Sequence, residues 1–231
     1  MSGQQAGAPA QGQAPGGAER HRSGTPGAWD GRFPGFDVAA QARHWDPVTA
    51  GVVLDRLRIP QELSFFTPDE EAAAVALCDQ LLGQDGADDR IPVTALIDRR
   101  LTQGETDGWR YADMPEDAQA WRDTLRYLDA DAGDRYGCTF AECGPGDQQA
   151  LIQAVQDAGS DEWHGLNAAH VWSLWTRYAC TAFYAHPKVW DEIGFSGPAY
   201  PRGYKNIGVD AREPFEVRDH QPGDDPVREG A

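Results

Sequence analysis

The side chains best suited to chemistry are two histidines and two neighbouring carboxylates, at Asp161, Glu162, His164 and His170. Imidazole nitrogens and carboxylate oxygens are common zinc ligands, so this group is the best metal candidate in the sequence. However, His164 and His170 are six residues apart, a spacing that does not place two side chains on one helix face. The Glu-x-x-His spacing of helical di-metal sites is also absent. We therefore expect solvated groups that precede a helix, and metal binding stays the alternative.

Two of the four cysteines, Cys138 and Cys143, bracket Thr-Phe-Ala-Glu near the expected end of a helix. They could form a disulfide if the chain were exported. Zinc and iron–sulfur sites usually need tighter CxxC pairs and four ligands, which disfavours metal binding here. The sequence also has no GxGxxG, GxxxxGK[ST], GxSxG or HExxH motif. The sequence therefore points to no catalytic residue in this chain.

A stretch between residues 183 and 204 alternates ring side chains with glycine and proline. Tyrosine, tryptophan and arginine are enriched at the energetic centres of protein interfaces. Two interpretations stay open: the stretch wraps over the protein's own helices, or it binds a partner protein. In the second interpretation the partner-binding residues are Phe183, Tyr184, His186, Pro187, Trp190, Gly194, Phe195, Gly197, Tyr200 and Tyr204.

Apolar residues recur at helical spacing in five segments, each bounded by capping or helix-breaking residues. The segments begin near Thr67, Ile91, Pro115, Gly146 and Asn167. No stretch shows sustained alternation of period two, so we expect no sheet of consequence. The pattern predicts an all-α fold, an irregular bundle of five or six helices. The fifth segment is apolar on most sides, which predicts a central helix or a surface shared with another chain.

The composition predicts four regions along the chain. Residues 1–28 are low-complexity and are interpreted as a disordered tail. Residues 29–66 are interpreted as an extended arm with a short helix, laid over its own domain or over another chain. The helical domain then spans 67–211 and ends in an irregular, aromatic and Gly/Pro-rich segment. Residues 212–231 are interpreted as an acidic, flexible tail.

The chain is strongly acidic, with a formal net charge of −17. A field of that sign repels phosphate backbones and anionic lipid, so binding to nucleic acid or to a membrane surface is disfavoured. No run approaches the ~20 apolar residues of a membrane span, so direct membrane insertion is not expected. The first residues carry neither the charged nor the apolar part of a signal peptide. As written, the sequence predicts a cytoplasmic protein.

Several short blocks occur in a recognisable order along the chain. They are Phe65-Phe66-Thr67, Leu81-Leu82, Ile91-Pro92, Gln148-Gln149, Phe183-Tyr184-Ala185-His186-Pro187, Gly194-Phe195-Ser196-Gly197 and Tyr200-Pro201-Arg202-Gly203-Tyr204. Together they resemble the gluconate 2-dehydrogenase subunit 3 family, and the last three blocks are the most specific. The resemblance covers about Phe65 to Tyr204.

The resemblance implies a role that the composition does not show. In that family a large subunit of the glucose–methanol–choline (GMC) oxidoreductase type carries FAD and oxidises the sugar or polyol, and a cytochrome c subunit often takes the electrons onward. The small subunit has no redox centre and helps the large subunit mature. Where it bears a twin-arginine signal, it also carries the large subunit across the membrane, and family members are often periplasmic or membrane-associated. This sequence begins without such a signal, so the resemblance implies a non-catalytic accessory subunit that stabilises its partner in the cytoplasm.

Two other functions stay open on the residues alone. A free-standing, helical, metal-dependent enzyme would use the histidine and carboxylate group around His164. An interaction module for an unrelated protein would use the aromatic stretch. Elemental analysis tests the first alternative, and a neighbouring gene for a flavoprotein would argue against the second.

Overall fold

In the computed structural model, the described residues are 33, 35–58, 63–87, 89–209 and 211–217. They contain seven α-helices: α1 Pro47–Asp55, α2 Pro68–Leu82, α3 Val93–Thr102, α4 Asp117–Tyr136, α5 Pro145–Ala158, α6 Ala168–Ala185 and α7 Pro187–Ile193. Two 3-10 helices, Ala39–His44 and Phe140–Glu142, and one antiparallel hairpin, β1 Glu162–Trp163 with β2 Leu166–Asn167, accompany them. The predicted all-α class is confirmed. The helix number is seven because two short helices, α1 and α7, flank the five predicted from periodicity.

The described residues reach only part of the predicted regions at the two ends of the chain. The expected tail at residues 1–28 lies outside the described residues. The described residues up to 58 form what we call the N-terminal arm, which contains a 3-10 helix and α1. At the other end Glu213 is buried and accepts a hydrogen bond from the backbone N–H of Asn206 (2.6 Å), whereas Ala211, Arg212 and Pro214 are exposed. The predicted domain bounds stay a prediction.

The helices begin and end where local side chains cap them. At the start of α2, Thr67 Oγ1 accepts from the Glu70 N–H (3.4 Å), and the Glu70 carboxylate accepts from the Thr67 N–H (2.9 Å). At the end of α4, Gly137 has a φ of 73°, in the left-handed region that favours glycine. At the start of α6, the side-chain oxygen of Asn167 accepts from the His170 N–H (3.2 Å). These caps fix the helix bounds close to the predicted positions.

Helix α6 lies at the centre of the bundle and contacts α2, α3, α4, α5 and α7. Its side chains Trp175 and Tyr178 are buried, and their polar atoms are satisfied by α4. The Trp175 indole donates to Thr124 Oγ1 (3.0 Å), and the Tyr178 hydroxyl donates to Asp117 Oδ2 (2.7 Å). The sequence left a central and a shared position open for α6, and the structure gives the central one. Neither α6 nor any other helix in the described ranges is long and apolar enough to cross a membrane.

A buried carboxylate holds the segment that leads into α2. Asp98 of α3 accepts hydrogen bonds from the backbone N–H groups of Ser64 (2.9 Å), Phe65 (2.8 Å) and Phe66 (2.9 Å). Three donors around one carboxylate compensate for its loss of water. The first helix of the main core is therefore positioned by a contact with α3 as well as by its own cap.

Candidate partner-binding surface

The structure divides the residues predicted to bind a partner into two groups. The buried or half-buried group is Phe183, His186, Pro187, Trp190, Gly194 and Gly197. The exposed group is Tyr184 (53% exposed), Phe195 (43%), Tyr200 (67%) and Tyr204 (53%). Each group therefore needs its own structural explanation.

Three members of the buried group, Trp190, Gly194 and Gly197, are covered by the protein's own N-terminal arm, whereas Phe183 packs against the main core. Val38, Trp45 and Val53 of the arm form a small hydrophobic cluster with Trp190 of α7, apart from the main core. The Trp190 indole N–H donates to the backbone carbonyl of Tyr184 (2.6 Å), so its polar atom is also satisfied. The sequence left open whether the arm lies over its own domain or over another chain, and in the structure it lies over its own domain.

Two glycines let the arm lie close to the chain that follows α7. Gly194 and Gly197 have φ values of 71° and 75°, a conformation that side chains with a Cβ rarely adopt. A Cβ at Gly197 would overlap the Trp45 ring, and a Cβ at Gly194 would overlap the Phe33 ring and Val217. Two aromatic rings of the arm, Phe33 and Trp45, therefore pack directly against the two glycines of the Gly-Phe-Ser-Gly block.

Hydrogen bonds also tie the arm to the end of the bundle. The Val38 N–H donates to Asp191 Oδ1 (2.6 Å), and the Arg56 guanidinium donates to the Ala185 carbonyl (3.1 Å). Burial raises the pKa of Asp191, although the bond from Val38 opposes that shift. The arm is thus held by apolar packing and by polar contacts with α6 and α7.

His186 has a structural role between α6 and α7. Its side chain is buried, and its Nδ1 accepts from the Lys188 N–H (3.3 Å) at the start of α7. Burial, with a contribution from the Lys188 charge, lowers the pKa of His186 to about 4. The imidazole is therefore neutral near pH 7 and serves as a helix cap.

The exposed group continues along an irregular segment that we call the C-terminal strip, residues 195–209. Ile207 is 86% exposed and Val209 is 95% exposed, and both follow the exposed rings of Tyr200 and Tyr204. Contiguous exposed apolar patches are typical of interaction sites, which makes the strip the candidate surface for partner binding. Sequence reasoning missed Ile207 and Val209, because isolated apolar residues in a polar stretch have no periodicity.

The first metal candidate, His164, lies in the turn of the β1–β2 hairpin. Its Nε2 is 2.8 Å from Asp131 Oδ1, and its ring stacks on Tyr127 with centroids 4.5 Å apart. The other oxygen of Asp131 accepts from the Trp163 indole (2.8 Å). Asp131 thus fastens the hairpin to α4.

The second metal candidate, His170, has a different carboxylate partner. Its Nδ1 is 2.9 Å from Asp113, and its ring stacks on Tyr111 with centroids 3.6 Å apart. In the described ranges no group of three or more histidine, cysteine, aspartate or glutamate side chains could hold a metal ion. Asp161 and Glu162 are exposed. The four predicted candidates are therefore not gathered around one point.

The sequence model of gluconate 2-dehydrogenase subunit 3 matches residues 68–197, more than half of the chain. This chain belongs to the gluconate 2-dehydrogenase subunit 3 family. Comparisons with curated proteins and with solved structures gave no match. In this subunit 3 protein the matched residues include the buried group, whereas the N-terminal arm and most of the C-terminal strip lie outside them.

The cysteines of this subunit 3 protein have three different environments. Cys138 and Cys143 form a disulfide, with Cα atoms 6.0 Å apart, which closes the turn around the buried Phe140. Cys78 is buried in the core, and burial raises the pKa of its thiol to about 12. Cys180 lies exposed on α6. The chain thus has one disulfide, one unreactive buried thiol and one accessible thiol.

Proposed function

We propose that this chain is the non-catalytic small subunit of a gluconate 2-dehydrogenase-like complex. It binds, stabilises and helps mature a large subunit of the GMC type, which carries FAD and oxidises a sugar or polyol. Membership of the subunit 3 family supports a place in such a complex. A cytochrome c subunit is a further candidate partner, as the electron acceptor of the flavoprotein.

The observation that carries the binding role is the exposed C-terminal strip. Phe195, Tyr200 and Tyr204 offer rigid rings with few rotatable bonds, which make large contacts at a low entropy cost. The hydroxyl groups of the two tyrosines can form hydrogen bonds at the edge of an interface. Such residues are typical of the few side chains that supply most of the binding energy.

The strip is held at both ends before any partner arrives. At its start, Gly197 is fixed beneath Trp45 of the arm. Near its end, the Glu213 carboxylate accepts hydrogen bonds from the backbone N–H groups of Lys205 and Asn206. A surface ordered in advance loses less conformational entropy on binding. The arm thus supports binding by fixing the strip, while the strip makes the contact.

The disulfide bears on where the complex works. Disulfides persist in oxidising compartments and are rare in the cytosol. The Cys138–Cys143 bond therefore favours an exported complex over the cytoplasmic location expected from the sequence. Partner binding in the cytoplasm and work outside it are compatible, because the disulfide can form after export.

Affinity purification of the tagged chain from its native cells tests the proposal. We expect a yellow flavoprotein to co-purify and to reduce a dye when a sugar or polyol is added. Recovery of the tagged chain alone, after gentle lysis at low salt, would overturn the proposal. A stoichiometric metal in chelator-free protein would instead favour the metal-dependent alternative.

A further inference from the structure

Arg202 occupies a junction of three segments within the C-terminal strip. Its guanidinium carbon lies 3.7 Å from the centroid of the Phe215 ring. Its Nη1 donates a hydrogen bond to Gln41 Oε1 in the N-terminal arm (3.1 Å). Arg202 therefore sits where the arm, the strip and the chain near residue 215 meet.

One edge of the Arg202 guanidinium lacks an acceptor. Nε and Nη2 lie on the same edge, the one that donates two parallel hydrogen bonds to a carboxylate. In the described part of the chain neither atom has a partner, although both are closed to solvent. Buried donors are nearly always hydrogen-bonded in native proteins, so this edge lacks the group that would complete it.

Arg122 shows how this fold completes a similar arrangement. Its guanidinium carbon lies 4.2 Å from the centroid of the Phe65 ring, much as Arg202 lies on Phe215. Its two terminal nitrogens donate to the Glu70 carboxylate (2.6 Å) and to the Phe65 carbonyl (2.6 Å). Arg122 thus has a ring beneath it and a carboxylate at its edge, whereas Arg202 has only the ring.

The buried carboxylate in this part of the chain, Glu213, already has hydrogen-bond donors. Glu213 accepts from the backbone N–H groups of Lys205 and Asn206 and forms no ion pair with Arg202 among the described residues. The strip itself, residues 195–209, carries two charged side chains, Arg202 and Lys205, and both are positive in a chain of net charge −17. A carboxylate approaching the strip is therefore attracted by these two cations.

We propose that a carboxylate of the partner protein docks on the Nε–Nη2 edge of Arg202, in the part of the strip that also carries the exposed Tyr200 and Tyr204. This inference rests on the proposed function, because the partner is the flavoprotein subunit. The edge is closed to solvent in the free chain, so docking requires a local displacement of the side chains around Arg202 while both ends of the strip stay fixed. Two parallel hydrogen bonds to a charged acceptor would then fix the orientation of the partner.

Arg202→Lys tests the shape of the guanidinium apart from its charge, because lysine keeps the positive charge and lacks the planar Nε–Nη2 edge. We expect Arg202→Lys to weaken binding of the co-purified flavoprotein by at least about tenfold, as for a buried, charged interface contact. The matched control is Lys205→Gln, which removes an exposed cation from the same strip and should change binding by less than about threefold. Binding by Arg202→Lys at the wild-type level would overturn the proposal.

Two further variants exclude a purely internal role for Arg202. Gln41→Ala removes the acceptor of Nη1 and leaves the Nε–Nη2 edge intact, so we expect it to weaken binding less than Arg202→Lys does. A chain that ends at Val217 lacks the acidic residues that follow, and it should bind as the full chain does. The thermal midpoint of the free chain should be compared for the truncated chain, Arg202→Lys and the two changes combined. If all three midpoints were lowered by the same amount, the residues after Val217 would supply the acceptor of Arg202, and the proposal would be wrong. A wild-type chain that captures no flavoprotein would instead count against the proposed function.

Discussion

The indole ring of Trp45 packs on the α-carbon of Gly197, across more than 150 residues of sequence. This contact joins the N-terminal arm, which lies outside the family match, to the last residue within it. It also explains why this chain has glycines at positions 194 and 197: the rings of the arm occupy the space that side chains would fill.

Replacement of Gly197 by alanine tests that contact. The added Cβ would overlap the Trp45 ring at a backbone φ of 75°, so we expect the free energy of unfolding to fall by roughly 3 kcal/mol. The control is Gly203→Ala, where φ is 69° but no atom lies within 4 Å of the added Cβ. The control should cost about 1 kcal/mol, for the backbone conformation alone. Equal losses in urea denaturation would show that the arm does not rest on Gly197.

Trp190 and Tyr200 should contribute differently to the free energy of unfolding, although both were predicted to bind a partner. Trp190 is 6% exposed within the arm cluster, so Trp190→Ala should lower the free energy of unfolding by roughly 3 kcal/mol or more. Tyr200 is 67% exposed, so Tyr200→Ala should change it by less than about 0.5 kcal/mol. Chemical denaturation of the two variants compares them directly. Similar values for both would contradict the division into a buried and an exposed group.

His186 should make the stability of the protein depend on pH. Its pKa is lowered to about 4 in the folded chain, so between that value and the ordinary histidine pKa the unfolded chain binds a proton that the folded chain does not. The free energy of unfolding should therefore fall by roughly 3 kcal/mol as the pH decreases from about 6.5 to 4.

His186→Asn isolates this contribution from that of the carboxylates. Asparagine keeps a side-chain acceptor for the start of α7 and does not titrate. The difference in stability between wild type and variant should therefore shrink as the pH falls through this window. If the difference in free energy of unfolding stayed constant from pH 7 to pH 4, the pKa of His186 would not be lowered in the folded chain.

The disulfide predicts a specific pattern of thiol reactivity. Alkylation of the native oxidised protein should label Cys180 alone, since Cys78 is buried and the other two cysteines are paired. Reduction of the closed loop should lower the free energy of unfolding by about 2 kcal/mol. Mass spectrometry counts the labels before and after reduction. Two or more labels on native protein, before reduction, would contradict this assignment.

Local signals in the sequence predicted the bundle well. Thr67 and Asn167 cap helices, Gly137 ends one, and apolar spacing placed the five main helices between such residues. These features depend on neighbours within one helical turn, and they can be read from a single sequence.

Contacts between distant segments could not be predicted in the same way. The sequence showed that Trp190 and Gly197 need a surface, but not that Trp45 supplies it. It grouped His164 with His170, whereas the structure pairs them with two different aspartates. Such pairings are set by tertiary packing, so they cannot be predicted from composition or periodicity.

The most direct test of the central claim compares the flavin recovered per tagged chain for three proteins. They are the wild type, a Tyr200→Ala/Tyr204→Ala double variant, and a Tyr136→Ala control that removes an exposed tyrosine at the end of α4. We predict equal recovery for wild type and control, and a loss of about tenfold or more for the double variant. A double variant that stays folded and recovers as much flavoprotein as the wild type would contradict binding through the C-terminal strip.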